Sequence, residues 1–159
     1  MKRMVEIIAF TSIATLSPVF AQGLTSPEPK KVGYDAELAK KLGADDYGMK
    51  SYVLVILKSG PTKVQAGKER DEMFKGHFAN MKRLAAEGKL AVAGPFDGVD
   101  GWRGLFIFAV GDVEEAKKLV ATDPVIINGE MIAEYHKLYG SAAMMLVNEV
   151  HGSVAKKSF

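Results

Sequence analysis

The chain has 159 residues, 48% of them hydrophobic and 25% charged, with 21 basic and 19 acidic side chains and no cysteine. That size and balance describe one globular domain able to bury a core of its own. A net charge of +2 gives no electrostatic footprint for nucleic acid, and the lack of cysteine excludes disulfides, thiolate metal sites and a thiol nucleophile.

Met1-Lys2-Arg3, a mostly apolar run from Val5 to Phe20 and then Ala21 have the layout of a secretory signal peptide over residues 1–21, with Val19-Phe20-Ala21 as the cleavage box. Glu6 and Pro18 interrupt the run, which is short for a spanning helix; an uncleaved N-terminal anchor is the alternative. Cleavage removes Lys2, Arg3 and Glu6, leaving 19 basic and 18 acidic side chains. The expectation is a periplasmic or secreted protein with no membrane attachment after signal cleavage.

Residues 22–49 read as a linker and strap. The stretch from Gln22 to about Gly33 is rich in Gly, Ser, Pro and Lys. A short N-terminal helix follows, with Asp35 as N-cap, Leu38 and Leu42 on one side and Gly43 as its stop.

The domain proper is expected over residues 50–140. Tyr52 to Leu57 is an apolar, β-branched strand that cannot continue through Gly60-Pro61. Residues 69 or 70 to 87 form a helix whose apolar face carries Phe74, Phe78, Met81, Leu84 and Ala85. His77 falls among them, and Gly88 is the stop glycine. Leu90 to Ala93 is a second strand, Gly94 to Gly104 a glycine-rich hairpin loop with two Asp-Gly pairs, and Leu105 to Val110 a third strand. Asp112 caps a second helix bearing Ala116, Leu119 and Val120, and Asp123-Pro124 closes it. Glu130 to Leu138 is the fourth strand, and residues 141–159 form a helical tail.

The order strand, helix, strand, strand, helix, strand predicts an α+β, ferredoxin-like βαββαβ domain with a four-stranded antiparallel sheet. Along the central strands, Tyr52, Leu54 and Ile56 alternate with Val53, Val55 and Leu57, so both faces are apolar. Two helices on one side cannot cover both. A homodimer packing sheet on sheet is the economical solution, and the C-terminal tail is the other candidate cover.

His77 points a titratable ring toward the core side, and the second strand delivers Asp97 near the same rim. An imidazole exchanges protons near its reference pKa of about 6.5. A carboxylate on its other nitrogen fixes the tautomer and stabilises the imidazolium. His77 as general acid or base with Asp97 as its orienting partner is therefore one reading. The plainer one makes His77 a buried histidine satisfying a backbone carbonyl and Asp97 a turn residue, and Asp100 is a second aspartate in the same hairpin. His136 and His151 have no ligand spacing with His77, so no metal site is expected. The glycines lack a phosphate-loop pattern, and no cofactor is expected. Phe96 and Trp102 either line an apolar pocket for a small-molecule ligand or pack together.

The run from Gly76 to Gly98, the strand Arg103-Gly104-Leu105-Phe106-Ile107-Phe108, the helix start Val113-Glu114-Glu115-Ala116 and Asp123-Pro124 together resemble the YciI-like (YCII-related) family over roughly Ser51 to Gly140. The resemblance implies a dimeric α+β barrel, an architecture shared with muconolactone isomerases and small cofactor-free monooxygenases. It also implies an active-site pair of a histidine on the first helix and an aspartate after the second strand, matching His77 and Asp97. One family member is a dehydrochlorinase of a chlorinated hydroxyquinol. The resulting expectation is an exported, cofactor-free enzyme of lyase or isomerase type, moving a proton on a small cyclic or aromatic substrate. The alternatives are a non-catalytic small-ligand-binding or structural dimer, and a cofactor-free monooxygenase.

Overall fold

The computed structural model describes residues 33–157. The expected signal peptide and nearly all of the linker lie outside the described residues. Helix α1, Ala36–Leu42, is the predicted N-terminal helix: the Asp35 carboxylate accepts from Leu38 N–H, and Gly43 ends it in left-handed backbone.

Strand β1, Met49–Ser59, is longer than the apolar run alone suggested. Helix α2, Lys68–Ala86, starts with Glu69 and Asp71 in its first turn and ends with Arg83 in its last, which suits the helix dipole. Gly88, at φ 68°, takes the left-handed position after it. Strand β2 is Leu90–Pro95 and β3 is Trp102–Phe108, joined through a 3-10 turn at Val99–Gly101. The third strand therefore begins earlier than predicted, because an irregularity at Leu57/Lys58 lets Trp102 pair with Lys58.

Helix α3, Val113–Val120, is capped by Asp112 as expected. Asp123-Pro124 does more than end it. Asp123 caps a further short helix, α4, Pro124–Ile127, with Pro124 in its first turn. Strand β4, Met131–Ser141, leads into a 3-10 segment, Ala142–Leu146, and helix α5, Val147–Val154.

The sheet order is β2-β3-β1-β4, and every pairing is antiparallel. Val53, Val55 and Leu57 share one face with Phe106 and Phe108, and these pack with Met73 and Leu84 of α2 and Ala116 and Val120 of α3 into the core. Each of the Val, Leu, Phe and Met side chains among them contributes about 1.5–3 kcal/mol when removed from water.

The dimeric α+β barrel expected from the family resemblance requires correction, because the sheet is open and is not closed into a barrel. Its edges, β2 and β4, pair with no further strand among the described residues. The four strands of this chain form one open twisted sheet, whereas a closed barrel takes about eight. Pro95 ends β2, and Asn148 of α5 donates to Leu90 O at 2.8 Å, so a helix flanks that edge. The apolar second face is partly covered by the chain's own C-terminal elements. Tyr52 and Ile56 are buried, Tyr52 Oη donates to Ser141 O at 3.1 Å, and Met144 packs over Gly140, where a Cβ would lie 2.6 Å from Met144 Cε. Leu54, Leu105 and Ile107 are half-buried, and Ile132 is 50% exposed.

Candidate functional site

Helical spacing places Met73, His77 and Leu84 on the buried side of α2. The His77 ring lies among Phe74, Phe78 and Phe106, at centroid distances of 6.0, 5.4 and 6.1 Å. Its Nδ1 is 2.9 Å from Asp123 Oδ1 and 2.8 Å from Oδ2, while His77 and Asp123 are only 8% and 1% exposed. A carboxylate only accepts, so Nδ1 carries a proton in this contact, and in the neutral ring that tautomer leaves the lone pair on Nε2. Nε2 bonds to no described residue. Since no buried side-chain nitrogen or oxygen among the described residues lacks a partner, the residual exposure of the ring includes Nε2.

Asp123 is held by its position as much as by the histidine. Its Oδ1 also accepts from Val125 N–H at 3.1 Å, as the N-cap of α4. Gly76 brings α2 and α4 close together, since a Cβ there would lie 2.9 Å from Pro124 Cγ.

The structure does not bring His77 and Asp97 together. Asp97 is exposed and accepts from Val99 N–H at 3.1 Å, which is turn chemistry. Asp100, the other hairpin aspartate, is exposed in left-handed backbone at φ 54°. Neither carboxylate bonds to His77. Phe96 and Trp102 pack on each other at 5.5 Å, with Lys58 Nζ 5.9 Å from the Trp102 ring centroid.

A second buried charge had no sequence signal of its own. Glu130, 3% exposed, accepts from Arg70 Nη1 at 2.6 Å and from Val64 N–H at 2.7 Å, with Arg103 Nη1 4.0 Å away. Burial pushes its pKa up, but the Arg70 hydrogen bond, the Val64 amide and the charges of Arg70 and Arg103 together outweigh that and hold it below the ordinary carboxylate value. Arg70 also donates to Val64 O and lies 4.8 Å over the Phe74 ring. Arg70, Phe74 and His77 thus form one stripe of α2.

On the opposite sheet face, Glu134 pairs with Lys58 and accepts from His136 Nε2 at 2.7 Å, contacts that lower its pKa at an exposed site. No group of three or more His, Asp or Glu side chains among the described residues is arranged to hold a metal ion, and no described helix is long and apolar enough to cross a membrane. A shallow apolar groove lined by Ala143, Leu146, Val147, Val150, His151 and Val154 lies on the C-terminal elements, away from His77.

The YCII-related domain model matches residues 51–136. That is more than half of the chain, and the chain belongs to the YCII-related domain family. Among solved structures it is similar to a 5-chloro-2-hydroxyhydroquinone dehydrochlorinase from Burkholderia phenoliruptrix AC1100, in complex with 2,5-dihydroxybenzoquinone. The identity is 22%, the match covers 54% of this chain and 90% of that one, and the TM-score is 0.41. No functionally curated protein matches the chain.

Proposed function

We propose that the protein is a cofactor-free enzyme of lyase or isomerase type, in which His77 moves a proton on a small cyclic or aromatic substrate. The observation that carries this reading is the buried His77–Asp123 pair. Asp123 occupies Nδ1 with both oxygens, which leaves Nε2 as the proton acceptor. The imidazolium formed on proton uptake is stabilised by the same carboxylate, and Nε2 then returns the proton at a second atom of the substrate. Phe74, Phe78 and Phe106 supply the apolar surroundings that suit a ring.

The test is turnover of small hydroxylated aromatic compounds, with 5-chloro-2-hydroxyhydroquinone as the first probe. Wild-type protein is expected to act on a member of the panel, with losses of about 10²–10⁴-fold in His77→Gln. Undiminished turnover in that variant would remove the reading.

A specific observation favours a second, non-catalytic reading. The pair ties α2 to α4 where Gly76 and Pro124 meet, as a purely structural fastening would. Under it, His77→Gln lowers stability and leaves ligand binding unchanged. The monooxygenase alternative rested on the barrel architecture and loses its support with it.

Two further proposals concern the setting. The half-covered sheet face around Leu54, Ile107 and Ile132 suits association of two copies, and light scattering at micromolar concentration should give a dimeric mass. The layout of residues 1–21 supports export, and mass spectrometry of protein recovered from its native host should show a mature chain beginning near Gln22.

A further inference from the structure

Resting on the proton-transfer reading, we infer that Arg103 binds an anionic substituent of the substrate, so that the substrate class is a small aromatic or cyclic acid. Glu130, itself fixed by Arg70, draws that guanidinium to this end of the sheet. Among the described residues, the side chains of Arg70 and Arg83 each donate hydrogen bonds, whereas the Arg103 guanidinium donates none. Its nearest carboxylate oxygen, Glu130 Oε1, is 4.0 Å away and already takes a 2.6 Å bond from Arg70. The other oxygen, Oε2, is used by Val64 N–H. Glu130 therefore attracts Arg103 without satisfying its donors, and the cluster keeps one uncompensated positive charge.

The Arg103 side chain is only 33% exposed. A partly covered guanidinium with its planar fork unfilled is suited to a carboxylate or a similar planar oxyanion. The place also fits the proposed chemistry. Arg103 is the residue skipped where the β1–β3 register shifts between Gly104 and Trp102, so strict alternation with Phe106 does not hold there; its Nη1 reaches the Glu130 carboxylate that Arg70 of α2 also binds, and the Phe106 ring faces the His77 ring. On the helix side, Arg70 lies over Phe74, which meets His77 edge-on. The charge of Arg103, the Phe74 and Phe106 rings and the unbonded Nε2 of His77 are the groups that a small ring carrying one anionic substituent would use.

Calorimetric titration with benzoate and with its neutral isostere benzamide tests this without needing turnover. Wild-type protein is expected to bind benzoate about tenfold or more tightly than benzamide, the preference expected of a charge-assisted hydrogen bond. Arg103→Gln should bring the ratio to about one, and Arg103→Lys should keep part of it, since the charge stays and the fork is lost. Equal affinity for the two probes, no binding of either, or an unchanged ratio in Arg103→Gln would overturn the inference. His77→Gln separates the two proposals. A benzoate preference that survives there together with undiminished turnover leaves the anion site standing and removes the proton-transfer reading. Turnover that depends on His77 without any benzoate preference does the reverse.

Discussion

His77 Nδ1 lies between the two oxygens of Asp123, at 2.9 and 2.8 Å, although the residues are 46 positions apart. The contact joins the middle of α2 to the first turn of α4. Both partners are buried, so neither can find water as a substitute when the other is removed.

Asp123 should accordingly be the costliest aspartate in the chain to replace. Asp123→Ala removes the histidine's partner and the cap of α4 together, and a loss on the order of 2–4 kcal/mol in urea unfolding is expected. Asp97→Ala loses one exposed turn contact and should cost under about 1 kcal/mol. A double-mutant cycle between His77→Gln and Asp123→Asn should show a coupling of about 1–3 kcal/mol. Additive effects would mean that the pair does not act as a unit.

Gly76 tests the same junction from the backbone. A methyl group there would meet Pro124 Cγ at 2.9 Å, and α2 or α4 must move to admit it. Helix propensity alone favours Ala over Gly by about 1 kcal/mol, but overpacking costs about 1–3 kcal/mol. Gly76→Ala is therefore expected to be neutral to destabilising rather than stabilising. It should also shift the His77 ring resonances in an NMR spectrum, which a stabilising variant with an unchanged ring environment would contradict.

The elements were legible in the sequence because their signals are local. Asp35 and Gly43 bracket α1, Asp112 caps α3, and the period of Leu84 and its neighbours marks the inward face of α2 together with His77. The partner of His77 was not, because the hairpin offered Asp97 and Asp100 at the expected rim, whereas Asp123 in Asp123-Pro124 reads first as the end of a helix. The same dipeptide also starts one, with the aspartate as N-cap and proline in the first turn, and that alternative would have turned the carboxylate inward. The barrel came from the family resemblance and not from any local signal in these residues. The two apolar faces of β1 show that cover is needed, but not by what, and the C-terminal elements take part of that role through Tyr52 and Met144. Glu130 gave no signal, since its burial depends on Arg70 and Val64 meeting it across 60 and 66 positions.

Glu130 leads to a pH-dependent prediction. Its folded pKa lies below its ordinary value of 4.5, the lowering contacts with Arg70, Val64 and Arg103 exceeding the opposing effect of burial. Between the folded value and 4.5 the unfolded chain binds a proton that the native protein does not, so stability rises with pH across that window. The contribution is complete above pH 4.5 and is lost as pH falls through the folded value. Glu130→Gln keeps the shape of the side chain but removes the charge that Arg70 and Arg103 share, and at neutral pH it should cost about 3 kcal/mol, in the range for breaking a buried pair. In urea unfolding series, the gap between wild type and Glu130→Gln should be widest at neutral pH and narrow steadily below pH 4.5. A gap that stays constant into acid would show that the glutamate is held by packing and not by its charge, and that Arg103 is not kept in place by it.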